Sequence, residues 1–128
     1  MHELSAASAI LRTVQQAPGG KDARRISRIR VEIGELTLLN PDQLRFCFGI
    51  VSRETNAEGA ELYIEIRRAV IECSSCGKRF SWSLPGDDPA YHLMAPRIGC
   101  DCGSSDVRIV SGRELKVVSM TVERLAEG

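Results

Sequence analysis

Apolar positions recur every three or four residues at the start of the chain, at Leu4, Ala7, Leu11 and Val14, and Ala6 and Ile10 widen the same stripe. That spacing predicts an amphipathic helix over residues 3–17. Pro18, Gly19 and Gly20 end it, because proline removes a backbone donor and clashes with the preceding turn. The period then changes from helical to alternating. In "RIRVEIGEL", Ile29, Val31 and Ile33 face one way and Arg28, Arg30 and Glu32 the other, which predicts a half-buried strand. Asn40-Pro41 supplies an N-cap followed by proline at the first helical position. Leu44, Cys47, Phe48 and Val51 carry the resulting second helix to about Thr55. Alternation returns in "ELYIEIR" at 61–67, with Leu62, Ile64 and Ile66 expected inward. Near the end, "VRIVSGRELKVVSMTVERL" reads as two strands joined by a tight turn at Ser111-Gly112.

The order is thus helix, strand, helix, strand, insertion, strand pair. It predicts an α+β fold in which two helices pack on one face of a small mixed β-sheet. The segment 73–102 holds too few apolar residues to build a core of its own, so something else must order it. The expected division is a helix–sheet domain of residues 1–72 plus 103–128, carrying an inserted subdomain of residues 73–102.

Composition narrows the function. A chain of 128 residues with 43% hydrophobic and 27% charged residues is a small globular protein with one modest core. Seventeen basic and seventeen acidic residues cancel, which argues against a nucleic-acid partner, whose binding rests on neutralising phosphates. No apolar run approaches the ~20 residues of a membrane span. "MHELSAASAILRTV" carries an early Glu3 and an amphipathic pattern, unlike a signal peptide. The expected location is the cytoplasm, without a membrane partner.

In a reducing compartment, five cysteines point to metal or catalysis rather than disulfides. Cys73-Ser-Ser-Cys76-Gly77-Lys78 lets one tight turn aim two thiolates at a single tetrahedral ion. Cys100-Asp-Cys102-Gly103-Ser104 repeats the Cys-Gly ending with a shorter bite, and His92 between the two halves could compete as a nitrogen ligand. Four thiolates suit Zn(II) in a closed structural site. A catalytic zinc would need an open position and a carboxylate–water arrangement that the sequence does not display. The bland alternative is four unrelated small hydrophobes. Cys47 lies on the inward face of the second helix, where a cysteine serves as a small apolar side chain.

His2 raises a different chemistry. An α-amine on Met1, the amide nitrogen of residue 2 and the His2 imidazole can close two adjacent chelate rings around one ion. Nitrogen donors in a plane favour Ni(II) or Cu(II). Three donors leave a fourth place open, with Glu3 adjacent and His92 the only other histidine. An exposed terminal histidine with no metal role is the competing reading.

The line "MHEL…RIRVEIGELTLLNPDQLRFCFGIVSRETNAEGAELYIEI…CSSCGK…CDCGS…VSGRELKVVSMTVE" closely resembles the HypA/HybF family of hydrogenase maturation factors over nearly its full length. The resemblance implies a nickel metallochaperone, not an enzyme. Such a protein delivers Ni(II) to the large subunit of [NiFe]-hydrogenase with a HypB-type GTPase, and in some organisms serves urease through its accessory proteins. It implies a nickel site at Met1, His2 and Glu3, with His92 matching a further histidine that some members add. It implies a zinc site at Cys73, Cys76, Cys100 and Cys102. The chain departs from the family in its second cysteine pair, which usually has two intervening residues. A zinc-ribbon interaction module without nickel transfer is the alternative function. An enzyme is disfavoured because no nucleophile–base pair or phosphate-binding glycine loop is present.

Overall fold

The structure, a computed structural model, describes residues 2–82 and 99–124. The chain forms two compact units. One comprises Met1–Ile33, Leu39–Glu65 and Leu115–Gly128, and the other Gly34–Leu38 and Ile66–Glu114.

In the first unit, helix α1 (Glu3–Gln16) and helix α2 (Pro41–Val51) pack on each other and cover one face of a sheet. The sheet has strand order β2-β1-β6, built from β1 (Arg25–Gly34), β2 (Glu61–Arg67) and β6 (Leu115–Glu123). The two-helix, small-sheet α+β architecture read from the pattern is the one observed. Helix α1 buries Ala6, Ala7, Ile10 and Val14, while Leu4 stays half exposed, so the packed stripe is centred on its small residues. Helix α2 buries Leu44 and Phe48, with Cys47 and Val51 partly buried beside them. The Asn40 side chain accepts a hydrogen bond from the Gln43 amide at 3.1 Å, the expected cap.

Strand β1 pairs antiparallel with β6, and its register slips between Ile26 and Arg28 and again between Arg30 and Val31. The first irregularity explains how Ile26 and Ile29, three residues apart, are both fully buried: an extra residue restores the inward phase. At the second, Ser119 pairs with Arg30 and Val117 with Val31, and the unpaired Val118 is left partly exposed.

The second unit has its own sheet, order β4-β3-β5, from β3 (Ala69–Cys73), β4 (Arg79–Trp82) and β5 (Val107–Ser111). Central β3 is antiparallel to both neighbours. Glu72 stands opposite Arg79 and Arg108 and pairs with both, accepting from Arg108 Nε at 3.0 Å and lying 3.6 Å from Arg79. The hairpin expected at Ser111-Gly112 does not form: β5 joins β3 while β6 joins β1. Gly112 instead hands the chain from one sheet to the other at φ +129°, and a Cβ there would meet the Ala69 backbone at 2.9 Å. Ile66, expected inward, is substantially exposed, because the inward phase of β2 ends before the strand does. Among the described residues, no helix is long and apolar enough to cross a membrane.

Two glycine substitutions should move stability in opposite directions. Gly112→Ala places a Cβ against backbone in a left-handed conformation and should destabilise by about 2–4 kcal/mol. Gly49→Ala sits in the α2 interior, where nothing lies within 4 Å of the new methyl, and should stabilise by about 0.5–1 kcal/mol. Urea unfolding of the two variants checks both signs.

Candidate metal centre

Strand β3 ends at Cys73, and the chain turns at once into Ser74-Ser75-Cys76-Gly77 before β4 begins. The turn is closed by two backbone bonds: Gly77 N–H donates to the Cys73 carbonyl at 2.8 Å and Cys73 N–H to the Lys78 carbonyl at 2.9 Å. Gly77 adopts φ +77°, which a side chain would strain. The second turn repeats the scheme with one residue fewer. Gly103 N–H donates to the Cys100 carbonyl and Cys100 N–H to the Ser104 carbonyl, each at 2.9 Å, with Gly103 at φ +91°. The missing residue is therefore absorbed by a tighter turn of the same hydrogen-bonded design, and the Cys-x-Cys bite still presents both sulfurs.

The two turns bring Cys73, Cys76, Cys100 and Cys102 together with all four sulfurs within 4.8 Å of one another. Contacts cross between turns: Cys73 Sγ lies 3.6 Å from Cys102 Sγ, and Cys76 Sγ lies 3.7 Å from Cys100 Sγ. A Zn–thiolate bond is about 2.3 Å, so a tetrahedron of such bonds has S···S edges of about 3.8 Å. The donor set fits an ion of that size and softness. Among the described residues, Cys73 and Cys100 are buried while Cys76 and Cys102 are exposed. Ala69, Ile71, Cys73 and Cys100 are the buried hydrophobic residues of this unit among those described, and two of these four are ligand candidates.

The thiols are not equivalent. The Cys76 amide donating to the Cys73 sulfur, helped by Ser75 and the neighbouring thiols and opposed by burial, lowers Cys73 to about 6. At Cys76 the Lys78 amide pulls the pKa down, but the Cys100 and Cys73 sulfurs and burial outweigh it and the net shift is upward. Cys102 feels the Ser104 amide in the same sense, yet Cys100, Cys73 and burial push it up to about 11. Crowded sulfurs resist a second negative charge. A divalent cation removes that resistance, which is why such a cluster and its metal belong together.

At the other candidate site, His2 is the N-cap residue of α1, extended at φ −106° and ψ 170°, with an exposed side chain. Its Nε2 lies 3.5 Å from Ser5 Oγ, and its carbonyl accepts the Ala6 amide at 3.0 Å. Glu3 is held more firmly: its Oε1 accepts the Asn40 backbone N–H at 3.1 Å, tying the start of α1 to the start of α2. Pattern reading did not find that link, since it joins residues far apart in sequence through a backbone donor. Met1 and His92 lie outside the described residues.

A helix–sheet unit joined to a four-cysteine unit is the build of a small protein with a metal-binding site. The family model described as "Hydrogenase/urease nickel incorporation, metallochaperone, hypA" matches residues 1–122. The Hydrogenase maturation factor HypA of Archaeoglobus fulgidus is 37% identical over 123 residues, covering 96% of this chain and 99% of that protein. The Chlorobium limicola protein of the same name is 40% identical, with 96% and 97% covered. A solution structure of the Ni metallochaperone HypA from Helicobacter pylori shares the fold at TM-score 0.67 and 23% identity, covering 98% of this chain and all of that one. The chain belongs to the HypA family of hydrogenase maturation factors and nickel-incorporation metallochaperones.

Titrating Zn(II) or Co(II) into metal-free protein at pH 7 should release at least two protons per ion, from the raised thiols Cys76 and Cys102. Apparent affinity should therefore drop steeply on acidification. Calorimetry in buffers of different ionisation enthalpy counts the protons, and release of less than one would remove these thiols from the ligand set.

Proposed function

We propose that this chain carries Ni(II) at its amino terminus and delivers it to the large subunit of [NiFe]-hydrogenase, with a HypB-type GTPase as its partner. Urease, reached through its accessory proteins, is a second client in this reading. The chain catalyses no reaction of its own, and it acts in the cytoplasm. The nickel donors are the Met1 amine, the His2 amide nitrogen and the His2 imidazole, with Glu3 adjacent and His92 the candidate fourth donor.

The observation that carries this reading is the exposed His2 at the head of α1 in a chain of the HypA family. A chelate ring from the residue-2 amide to its own imidazole closes through Nδ1, and it is the other nitrogen, Nε2, that faces Ser5. The first turn of α1, where Glu3 is fastened to the Asn40 amide, supports the reading by giving His2 a fixed base. Planar nitrogen donors match the geometric preference of Ni(II). A three-donor site open on one side releases its ion more readily than a closed cage, as a carrier requires.

The second metal is Zn(II), held by Cys73, Cys76, Cys100 and Cys102 as a resident structural ion. When bound, it supplies two positive charges that let four thiolates coexist, and no redox chemistry. The chain's own residues do the remaining work: two tight turns aim the sulfurs and the β3 sheet anchors the first of them.

Nickel titration of three proteins tests the proposal. The native chain should bind one Ni(II) with the absorption of planar nitrogen coordination. His2→Ala, and a chain with one residue added before Met1, should each lose that species and weaken binding at least about tenfold. Retention should also decline on acidification, because amine and imidazole bind only unprotonated. Undiminished binding by the extended chain would rule out a site built on the Met1 amine.

A further inference from the structure

The two cysteine turns grip each other through other side chains as well as through their crossed sulfur contacts. In each turn the residue two after the second cysteine closes the turn with its carbonyl: Lys78 accepts from Cys73 N–H and Ser104 from Cys100 N–H. The same two residues reach across to the residue lying inside the opposite turn. Lys78 Nζ pairs with Asp101, between Cys100 and Cys102, at 3.4 Å. Ser104 Oγ accepts from the Ser75 hydroxyl, between Cys73 and Cys76, at 2.9 Å. The arrangement is reciprocal, with the same pseudo-symmetry as the crossed sulfur contacts.

The two grips differ in strength. Lys78 and Asp101 are exposed, and an exposed ion pair contributes little. Ser104 is half-buried and does more. Its Oγ also accepts the Asp106 amide at 3.1 Å, and the Asp106 carbonyl in turn accepts the Ser74 amide at 2.9 Å. One hydroxyl therefore joins the short turn, the long turn and the approach to β5, while the carbonyl of the same residue closes the short turn. A Cys-x-Cys turn has one residue less with which to adjust the aim of Cys102, so its placement depends more on what holds Ser104.

We propose that Ser104 is a positioning residue for the four-cysteine metal site: its hydroxyl locks the short turn onto the long one and thereby sets how fast the ion is released and how regular its tetrahedron is. This rests on the zinc reading above. It assigns to the clasp, rather than to the ligands alone, the kinetic stability of the site.

The test uses the full chain loaded with Zn(II), and with Co(II) as a spectroscopic probe. Ser104→Ala should keep one metal per chain and release zinc to a chromogenic chelator about 3–10 times faster, the range expected for one or two lost hydrogen bonds. Its Co(II) d–d bands should shift or broaden. Ser104→Thr, which keeps a hydroxyl, should restore both. Ser75→Ala should reproduce part of the effect, and Lys78→Met should change release less than Ser104→Ala. Wild-type release and unchanged Co(II) bands in Ser104→Ala would overturn the role of Ser104 while leaving the zinc site standing. A Ser104→Thr protein as leaky as Ser104→Ala would do the same. A wild-type chain that binds neither ion would overturn the zinc reading and this inference together.

Discussion

Four sulfurs in mutual contact are the constraint on which the cysteine-bearing unit depends. Without a cation they repel as they ionise, and the thiol lowered to about 6 at Cys73 coexists with one pushed up to about 11 at Cys102. With a cation they become the unit's main tie. The free energy of a structural Cys site, on the order of 10–16 kcal/mol, matches the whole stability of a small domain. The contiguous apolar core, from Ala6 to Leu62, lies wholly in the helix–sheet unit. What the cysteine unit lacks in burial would be supplied by ligation, beside a three-stranded sheet and the Glu72 pairs with Arg79 and Arg108.

The helix–sheet unit rests on a different balance. Its stability comes from burying Ile10, Ile26, Ile29, Ile33 and Leu44, all nearly or fully excluded from solvent. The proposed nickel chemistry lies where that packing ends, at the first turn of α1. Glu3 spans the two roles, since its carboxylate is anchored to the Asn40 amide one residue away from the candidate nickel donors.

How much of this was legible follows from the range of the interactions involved. Helices α1 and α2 and the inward face of β1 were readable because period and caps are local signals, as at Asn40-Pro41. The convergence of the cysteines was readable from their spacing, and the Cys-x-Cys defect proved to be a turn one residue tighter. Strands β3 and β4 escaped notice because they are short, and their register is set by distant partners such as Glu72 with Arg108. Ser111-Gly112 has the composition of a hairpin turn, yet pairing with β3 and β1 decides where each flanking strand goes. The clasp at Ser104 was invisible for the same reason, since Ser75 lies far from it along the chain.

X-ray absorption at the zinc edge of the loaded protein tests the central claim most directly, because it reports the ligands and distances without reference to function. Two turns that bring four sulfurs to S···S contacts of 3.6 and 3.7 Å predict a shell of four sulfurs at about 2.3 Å, with no imidazole scattering. A shell of three sulfurs and one nitrogen would contradict it, placing a histidine such as His92 where Cys100 or Cys102 is assigned.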